Sequence, residues 1–333
     1  MEVINRKEEQ IMSLFRIIIL TITSIAFFTS CEQKDLCYNH NHSCKFNVHF
    51  NWQVASNANP SSMYLYLFPH DVEEGILKRE FIGKDGGTTQ LPVDRMYDAL
   101  CFNSDVSNCL FTNIDNKEQF EVTTKTVTSI ERIGVSAMSL PRAKGSEQER
   151  IIMESDSIWS DHSINPIVMS WEDNEENKVL NMTFYPQQLF CTYKIRIKNI
   201  KNKGNISTNI TATLSGMAGG RYVNSREKTD EVATVSFPVS MSKDMDAITG
   251  TMKCFGNNDA SNTCNKLSIY TILKDGSKYY YVYDVTDQVK TAPDPYNVEI
   301  LLDTLPIPDE IKGSGGLTPN VNGWKVVDIP VEM

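Results

Sequence analysis

Residues 45–53, KFNVHFNWQ, alternate without a break. Phe46, Val48, Phe50 and Trp52 fall on one side, and Lys45, Asn47, His49 and Asn51 on the other. A period of two fits a pleated strand with one buried face, because on a helix the same positions scatter around the axis. Segments of this kind recur along the chain. SMYLYLFP (62–69) is apolar on both faces and ends at Pro69, as a central strand would. A turn at Lys84-Asp85-Gly86-Gly87 is followed by Leu91-Pro92 and a strand from Tyr97 to Asn103. FEVTTKTV (120–127) sets Phe120, Val122 and Thr124 on one side. Residues 140–165 are polar with isolated apolar anchors such as Trp159, and predict a long loop or short helix.

A second series begins near Lys178 with VLNMTFYPQ and FCTYKIRIKNI, the latter placing Tyr193, Ile195 and Ile197 in register. NISTNITATLSG, ATVSFPVS, TGTMKCFG, KLSIYTILK, KYYYVYDVT and YNVEILLD follow. Lys274-Asp275-Gly276-Ser277 is a tight-hairpin signal. The tail GWKVVDIPVEM reads as a last strand limited by Pro330. Many short strands and few helical periods predict an all-β chain of β-sandwiches. At 333 residues the default is two domains. The acidic stretch SWEDNEENK sets the expected boundary, giving sandwiches over 45–175 and 176–333.

Ahead of the first strand, Arg16 precedes the uncharged apolar run IIILTITSIAFF, residues 17–28. Twelve residues are too few to span a bilayer but suit the apolar core of a signal peptide. Met1 and Met12 are both candidate starts. Phe28-Thr29-Ser30-Cys31 looks like a bacterial lipobox, with Phe28 in place of the usual aliphatic residue and a free secreted form as the alternative. Residues 1–30 then read as a lipoprotein signal peptide, Cys31 as the acylated residue, and 31–44 as a lipidated tether. Two or more acyl chains, at about 0.8 kcal/mol per buried methylene, hold such a protein on a membrane stably. The charges of residues 1–30 cancel, so the mature chain keeps the net −10. No basic run breaks that acidic balance, and nucleic acid is excluded as a partner.

Export permits disulfides, and Cys37–Cys44, Cys101–Cys109 and Cys254–Cys264 are close enough in sequence to close small loops. Cys191, in a strand-like setting, reads as a buried thiol. Cys37, His40, His42 and Cys44 spell C-x-x-H-x-H-x-C, but a structural zinc site draws ligands from two elements and no second half exists, so no metal is expected. Asp173, Glu175 and Glu176 lack the spacing of a calcium loop and read as a solvated linker. The five histidines, His40, His42, His49, His70 and His162, assemble no nucleophile–base set, and no phosphate loop or nucleophile elbow occurs. The chain reads as a non-enzyme without a cofactor.

Several of these segments together resemble a known group. Asp35-Leu36-Cys37-Tyr38 with His40 and His42 lies after the lipobox cysteine, and a strand then ends in Phe50-Asn51-Trp52. Ser61 to Pro69, Leu91-Pro92 leading to Tyr97, and Cys101-Phe102-Asn103-Ser104-Asp105 continue the pattern, with Leu214-Ser215-Gly216-Met217-Ala218 and Gly323-Trp324. The chain resembles the fimbrillin-like surface lipoproteins of Bacteroidales. That resemblance implies two transthyretin-like β-sandwiches in tandem and a role as fimbrial subunit or fimbrium anchor, with other fimbrial subunits as partners. It also implies polymerisation by strand complementation, opened by an arginine-specific protease. No arginine lies between Cys31 and Arg79, and a cut at Arg79 would remove two strands, so an uncleaved anchor is favoured. Glu32 to Asp35 resemble a surface-export tag, which places the protein on the outer face of the outer membrane. Asp156-Ser157-Ile158 and Asp303-Thr304-Leu305 match a short O-glycosylation pattern at Ser157 and Thr304. The alternative is a surface glycan-binding lipoprotein using exposed aromatics, with Tyr280 and the Trp159 segment as candidates.

Overall fold

Strand β1 (Ser43–Phe50) carries the alternation that opens the sequence, with Cys44, Phe46, Val48 and Phe50 all buried. It belongs to a computed structural model that describes residues 43–71, 75–170, 179–260, 263–309 and 323–330. Cys31, Cys37, His40, His42 and the acidic residues at 173–176 lie outside the described residues. After β1 come β2 (Ser62–Pro69), β3 (Leu77–Ile82), β4 (Gly86–Pro92), β5 (Arg95–Asn103), β6 (Cys109–Thr112) and β7 (Glu121–Thr124). The pairs β8 (Ser129–Ile130) and β9 (Val135–Ser136) precede β10 (Arg150–Met153), β11 (Trp159–His162) and β12 (Ile167–Met169). Then follow β13 (Val179–Phe184), β14 (Gln187–Gln188), β15 (Cys191–Ile197), β16 (Ile200–Lys201), β17 (Ile206–Ala218) and β18 (Gly220–Tyr222). β19 (Val232–Met241), β20 (Ile248–Cys254), β21 (Lys266–Leu273), β22 (Lys278–Asp284), β23 (Asn297–Leu302), β24 (Leu305–Pro306) and β25 (Trp324–Ile329) complete the order.

The all-β expectation holds. In the first sandwich, β1 lies between β13 (parallel) and β4 (antiparallel). This sheet packs on a second of order β14-β11-β5-β2-β3, with β12 on the side of β5. Phe46, Val48, Phe50 and Phe184 meet Met63, Leu65, Leu67, Tyr97, Ala99 and Cys101 in one core. Each Val, Leu, Phe or Met side chain among them contributes about 1.5–3 kcal/mol by leaving water. Gly86 has φ +98°, and a Cβ there would lie 2.1 Å from the Val48 carbonyl oxygen, so only glycine lets β4 approach β1.

The second sandwich is a sheet that folds back on itself, in the order β23-β15-β20-β19-β17-β21-β22-β25. β19 makes the corner. Its first part, to Pro238, pairs with β17, and Val239–Met241 pair with β20. Proline has no N–H to donate and suits the point where a strand changes partner. Tyr193, Ile195 and Ile197 share one core with Phe237, Met252, Ile269, Tyr281 and Ile300. As in the first sandwich, the opening strand is flanked by one antiparallel and one parallel neighbour, here β20 and β23.

The boundary expected at 175/176 is corrected, because β13 and β14 lie beyond it and complete the first sandwich. β13 runs beside β1 from Lys45↔Val179 to Phe50↔Phe184, and β14 pairs with β11. The loop expected over 140–165 is corrected too. It contains β10, parallel to β19 of the second sandwich, and β11, antiparallel to β5 of the first. Val127, Ile130, Ile133, Leu140 and Ile151 cover Tyr270 and Tyr280 on the outer face of the second sandwich. The far face of β2 and β5 is covered by Phe120 and Val122 together with Ala218, Val223 and Phe255. From Ser43 onward the chain therefore forms one compact unit.

Candidate functional site

β25 lies parallel on β22, in register from Lys278↔Trp324 to Tyr283↔Ile329, and ends the order of its sheet. None of its six residues is buried, in contrast to four of eight in β1. Trp324 meets Tyr270 edge-on at 5.5 Å, and Lys325 Nζ donates to Tyr279 Oη at 3.2 Å. Val327 and Ile329 rest on the core edge, while Val326 is 54% exposed. Beneath it β22 is a row of buried tyrosines. Burial pushes the phenols of Tyr281 and Tyr283 up, and Tyr280 is raised by burial and then by Asp328 of β25. An outer strand whose far side is unpaired among the described residues, held by few buried contacts, is a surface on which backbone pairing can be extended or exchanged.

The aromatics offered as a sugar platform are packed instead. Tyr280 is 6% exposed and stacks on Tyr270 with centroids 5.8 Å apart. Trp159 stands edge-on to Trp52 at 6.1 Å and to Phe190 at 5.7 Å. At Tyr280 the glycan candidate is thereby corrected, because strand pairing put Tyr270 where solvent had been expected, whereas Trp159 stays half-buried.

The cysteine pairings are also redrawn. Cys101 points into the first core, Cys109 into the cluster on the opposite face of β5, and both are thiols. Cys254 is buried opposite Cys191 on β15, whereas Cys264 is exposed, and these too are thiols. The loops Cys101–Cys109 and Cys254–Cys264 are therefore not closed by disulfides: Cys101 and Cys109 enter different cores, and Cys254 is buried while Cys264 is exposed. Cys44 points into the core, as its parity with Phe46 requires, and Cys37 lies outside the described residues. Burial pushes the Cys109 thiol up to about 12 and raises Cys101, Cys191 and Cys254.

Ser157 and Thr304 are both half-buried. Ser157 Oγ accepts from Lys253 Nζ at 2.6 Å, and the Thr304 carbonyl accepts from Tyr283 Oη at 2.7 Å. Asp156, one residue earlier, accepts from the backbone N–H groups of Ser107, Asn108 and Cys109 at 2.7–2.9 Å. Burial pushes this carboxyl up, but the three amides and the Ser107 hydroxyl outweigh it and hold it below its ordinary range. Nearby, buried Asn103 donates to Asp105 and to the Ser157 carbonyl and accepts from Trp159 N–H, while Asp105 accepts from Ser61 N–H. These contacts give the Cys101–Asp105 motif a structural role. Gly216 has φ +76° at the bulge between Leu214 and Met217, where a Cβ would lie 2.7 Å from the Cys264 carbonyl oxygen. The Leu214–Ala218 motif thus marks a bulge.

Of the histidines described, His49 is exposed, and His70 lies 3.4 Å from Asp98. Burial lowers the pKa of His162, whose Nδ1 has no partner. Among the described residues no group of His, Cys, Asp and Glu forms a metal centre. No described helix is long and apolar enough to cross a membrane. What sequence reasoning missed here is the Asp156 clasp, since the three-residue pattern at Asp156 says nothing of the distant amides of Ser107, Asn108 and Cys109.

The sequence of residues 30–238 matches the family described as Domain of unknown function (DUF5119). The chain belongs to that family. No curated protein matches it. Among solved structures it is similar to a candidate adhesin from Bacteroides ovatus, with a TM-score of 0.57 and 14% identity over 84% of this chain and 99% of that one. It is also similar to the fimbrial anchor protein Mfa2 from Porphyromonas gingivalis, with a TM-score of 0.47 and 11% identity over 78% and 90% of the two chains. A candidate polysaccharide-binding protein from Bacteroides thetaiotaomicron matches with a TM-score of 0.48 and 11% identity over 78% and 90%. The chain thus shares its β-sandwich fold with the Bacteroides ovatus candidate adhesin, in line with the fimbrillin-like resemblance.

Proposed function

We propose that the protein is a non-enzymatic outer-membrane lipoprotein, acylated at Cys31 and exposed at the cell surface, that serves as a fimbrium anchor or fimbrial subunit. It binds pilin-like partners by strand complementation at the β22–β25 edge. The observation that carries this reading is the contrast between two strands. β1 is locked in the middle of its sheet with four buried side chains, whereas β25 lies at a sheet edge with none. Removing β1 would leave β4 and β13 without their shared partner. Arg79 lies within β3, where its Nε donates to Thr89 Oγ1 at 3.1 Å, a paired setting that resists proteolysis. Both features favour a retained anchor over a shaft subunit that sheds its first strands. Ser157 and Thr304 are proposed O-glycosylation sites, checked by mass spectrometry of the native protein.

The test is recovery of partners from detergent-solubilised outer membranes. The intact protein is expected to bring down pilin-like subunits, and a variant ending at residue 322 to lose them. Cys31→Ala is expected to release the protein from the membrane fraction. Absence of any pilin-like partner with the intact acylated protein would remove the main support for the proposal.

A further inference from the structure

A polar cleft of about 1080 Å³ opens where β15, β18 and the segment after β20 converge, away from the β22–β25 edge. At its wall lies Arg221, only 5% exposed. Its Nε donates to the Phe255 carbonyl at 2.9 Å, Nη1 to the Arg226 carbonyl at 3.0 Å, and Nη2 approaches Cys191 Sγ at 3.8 Å. Those contacts are to neutral groups. Among the described residues no carboxylate pairs with this guanidinium. A buried charge without a counter-charge is costly, and a protein retains one where an anion completes it.

A second, independent observation lies on the same wall: Tyr296 is 41% exposed, with its ring 5.8 Å from the Arg221 guanidinium carbon. Between Pro293 and Asn297 the turn is fixed by Asp294, whose carboxylate accepts from Tyr296 N–H at 2.8 Å and from Asn297 Nδ2 at 2.7 Å. The aromatic face is therefore held in place before any ligand arrives. Of the other cations lining the cleft, Arg226 is paired with Asp161 and Lys228 with Asp259. Lys290 is exposed and has no ion pair among the described residues, and the acids Glu227 and Asp230 are exposed on the same lining.

We propose that this cleft binds a carboxylated saccharide. The sugar carboxylate meets the free N–H groups of the Arg221 guanidinium, and a ring face lies on Tyr296. The volume exceeds what one monosaccharide fills, so the ligand is an oligosaccharide carrying uronic-acid-type residues. The site is separate from strand complementation, and either can fail without the other.

Isothermal titration of the mature protein with a galacturonic acid tetramer tests this, beside a neutral hexose tetramer and a tetrapeptide with a free C-terminal carboxylate. The acidic tetramer is expected to bind, and both controls to bind at least about tenfold more weakly. Tyr296→Ala is expected to lower its affinity about tenfold with an unchanged melting curve, and Arg221→Lys to abolish binding. Should Arg221→Lys fail to fold, Tyr296→Ala and the neutral tetramer decide. No heat with the acidic tetramer, equal binding of either control, or full affinity in Tyr296→Ala would overturn the proposal.

Discussion

Asp156 shows how one carboxylate can organise a loop. Three consecutive amides and a hydroxyl converge on it, so Asp156→Ala strands several donors at once. The expected loss is about 1–2 kcal/mol at pH 7, allowing for partial exposure, read as a lower urea midpoint. The folded-state pKa is depressed, so the contribution is full above the unfolded value near ~3.9 and disappears as pH falls through the folded one. The gap between the wild type and Asp156→Asn should close on acidification, and a gap that persists at pH 2 would count against this assignment. The thiols give a second outcome at this scale. Exposed Cys264 should react with iodoacetamide in the native state, while buried Cys101, Cys109, Cys191 and Cys254 react only after unfolding, as peptide mapping would show.

Among elements, β1 and β25 mark the two ends of a stability scale. Phe46→Ala should cost about 3–5 kcal/mol, because the ring is fully buried between two sheets. Trp324→Ala should cost about 1 kcal/mol, since the ring is half-buried and touches the structure mainly at Tyr270. Hydrogen exchange checks the order directly: β25 amides should exchange well before those of β1. Equal protection of the two strands would argue against β25 as the exchangeable edge. The element order itself was largely legible in the chain. SMYLYLFP is apolar on both faces because β2 sits between β3 and β5 with cores on either side. LKREFI of β3 was not legible, because an edge strand with one buried residue carries almost no alternation.

Across the whole molecule the two sandwiches share chain segments. Arg150 of β10 holds Glu231 through paired bonds at 2.7 and 2.8 Å and also reaches the Thr124 carbonyl, tying the cover segment to the second sandwich. A fragment covering residues 45–175 should fail to give dispersed NMR signals, since it lacks β13 and β14. The chain from residue 43 should unfold in one transition by two spectroscopic probes. A folded 45–175 fragment would show that the shared strands are dispensable.

The sequence by itself determined the β-only class and, for alternating strands such as β1 and β15, the inward face, because those depend on a period of two within a few residues. It also marked Gly216 and the Asn103–Asp105 motif, though not their purpose. Only the tertiary structure decided which strands are neighbours. That choice buried Tyr280, separated Cys101 from Cys109, and set Cys191 opposite Cys254. It also carried β13 back across the expected boundary and left Arg221 buried without a counter-charge. Partner choice rests on contacts between residues far apart in the chain, which no local pattern encodes.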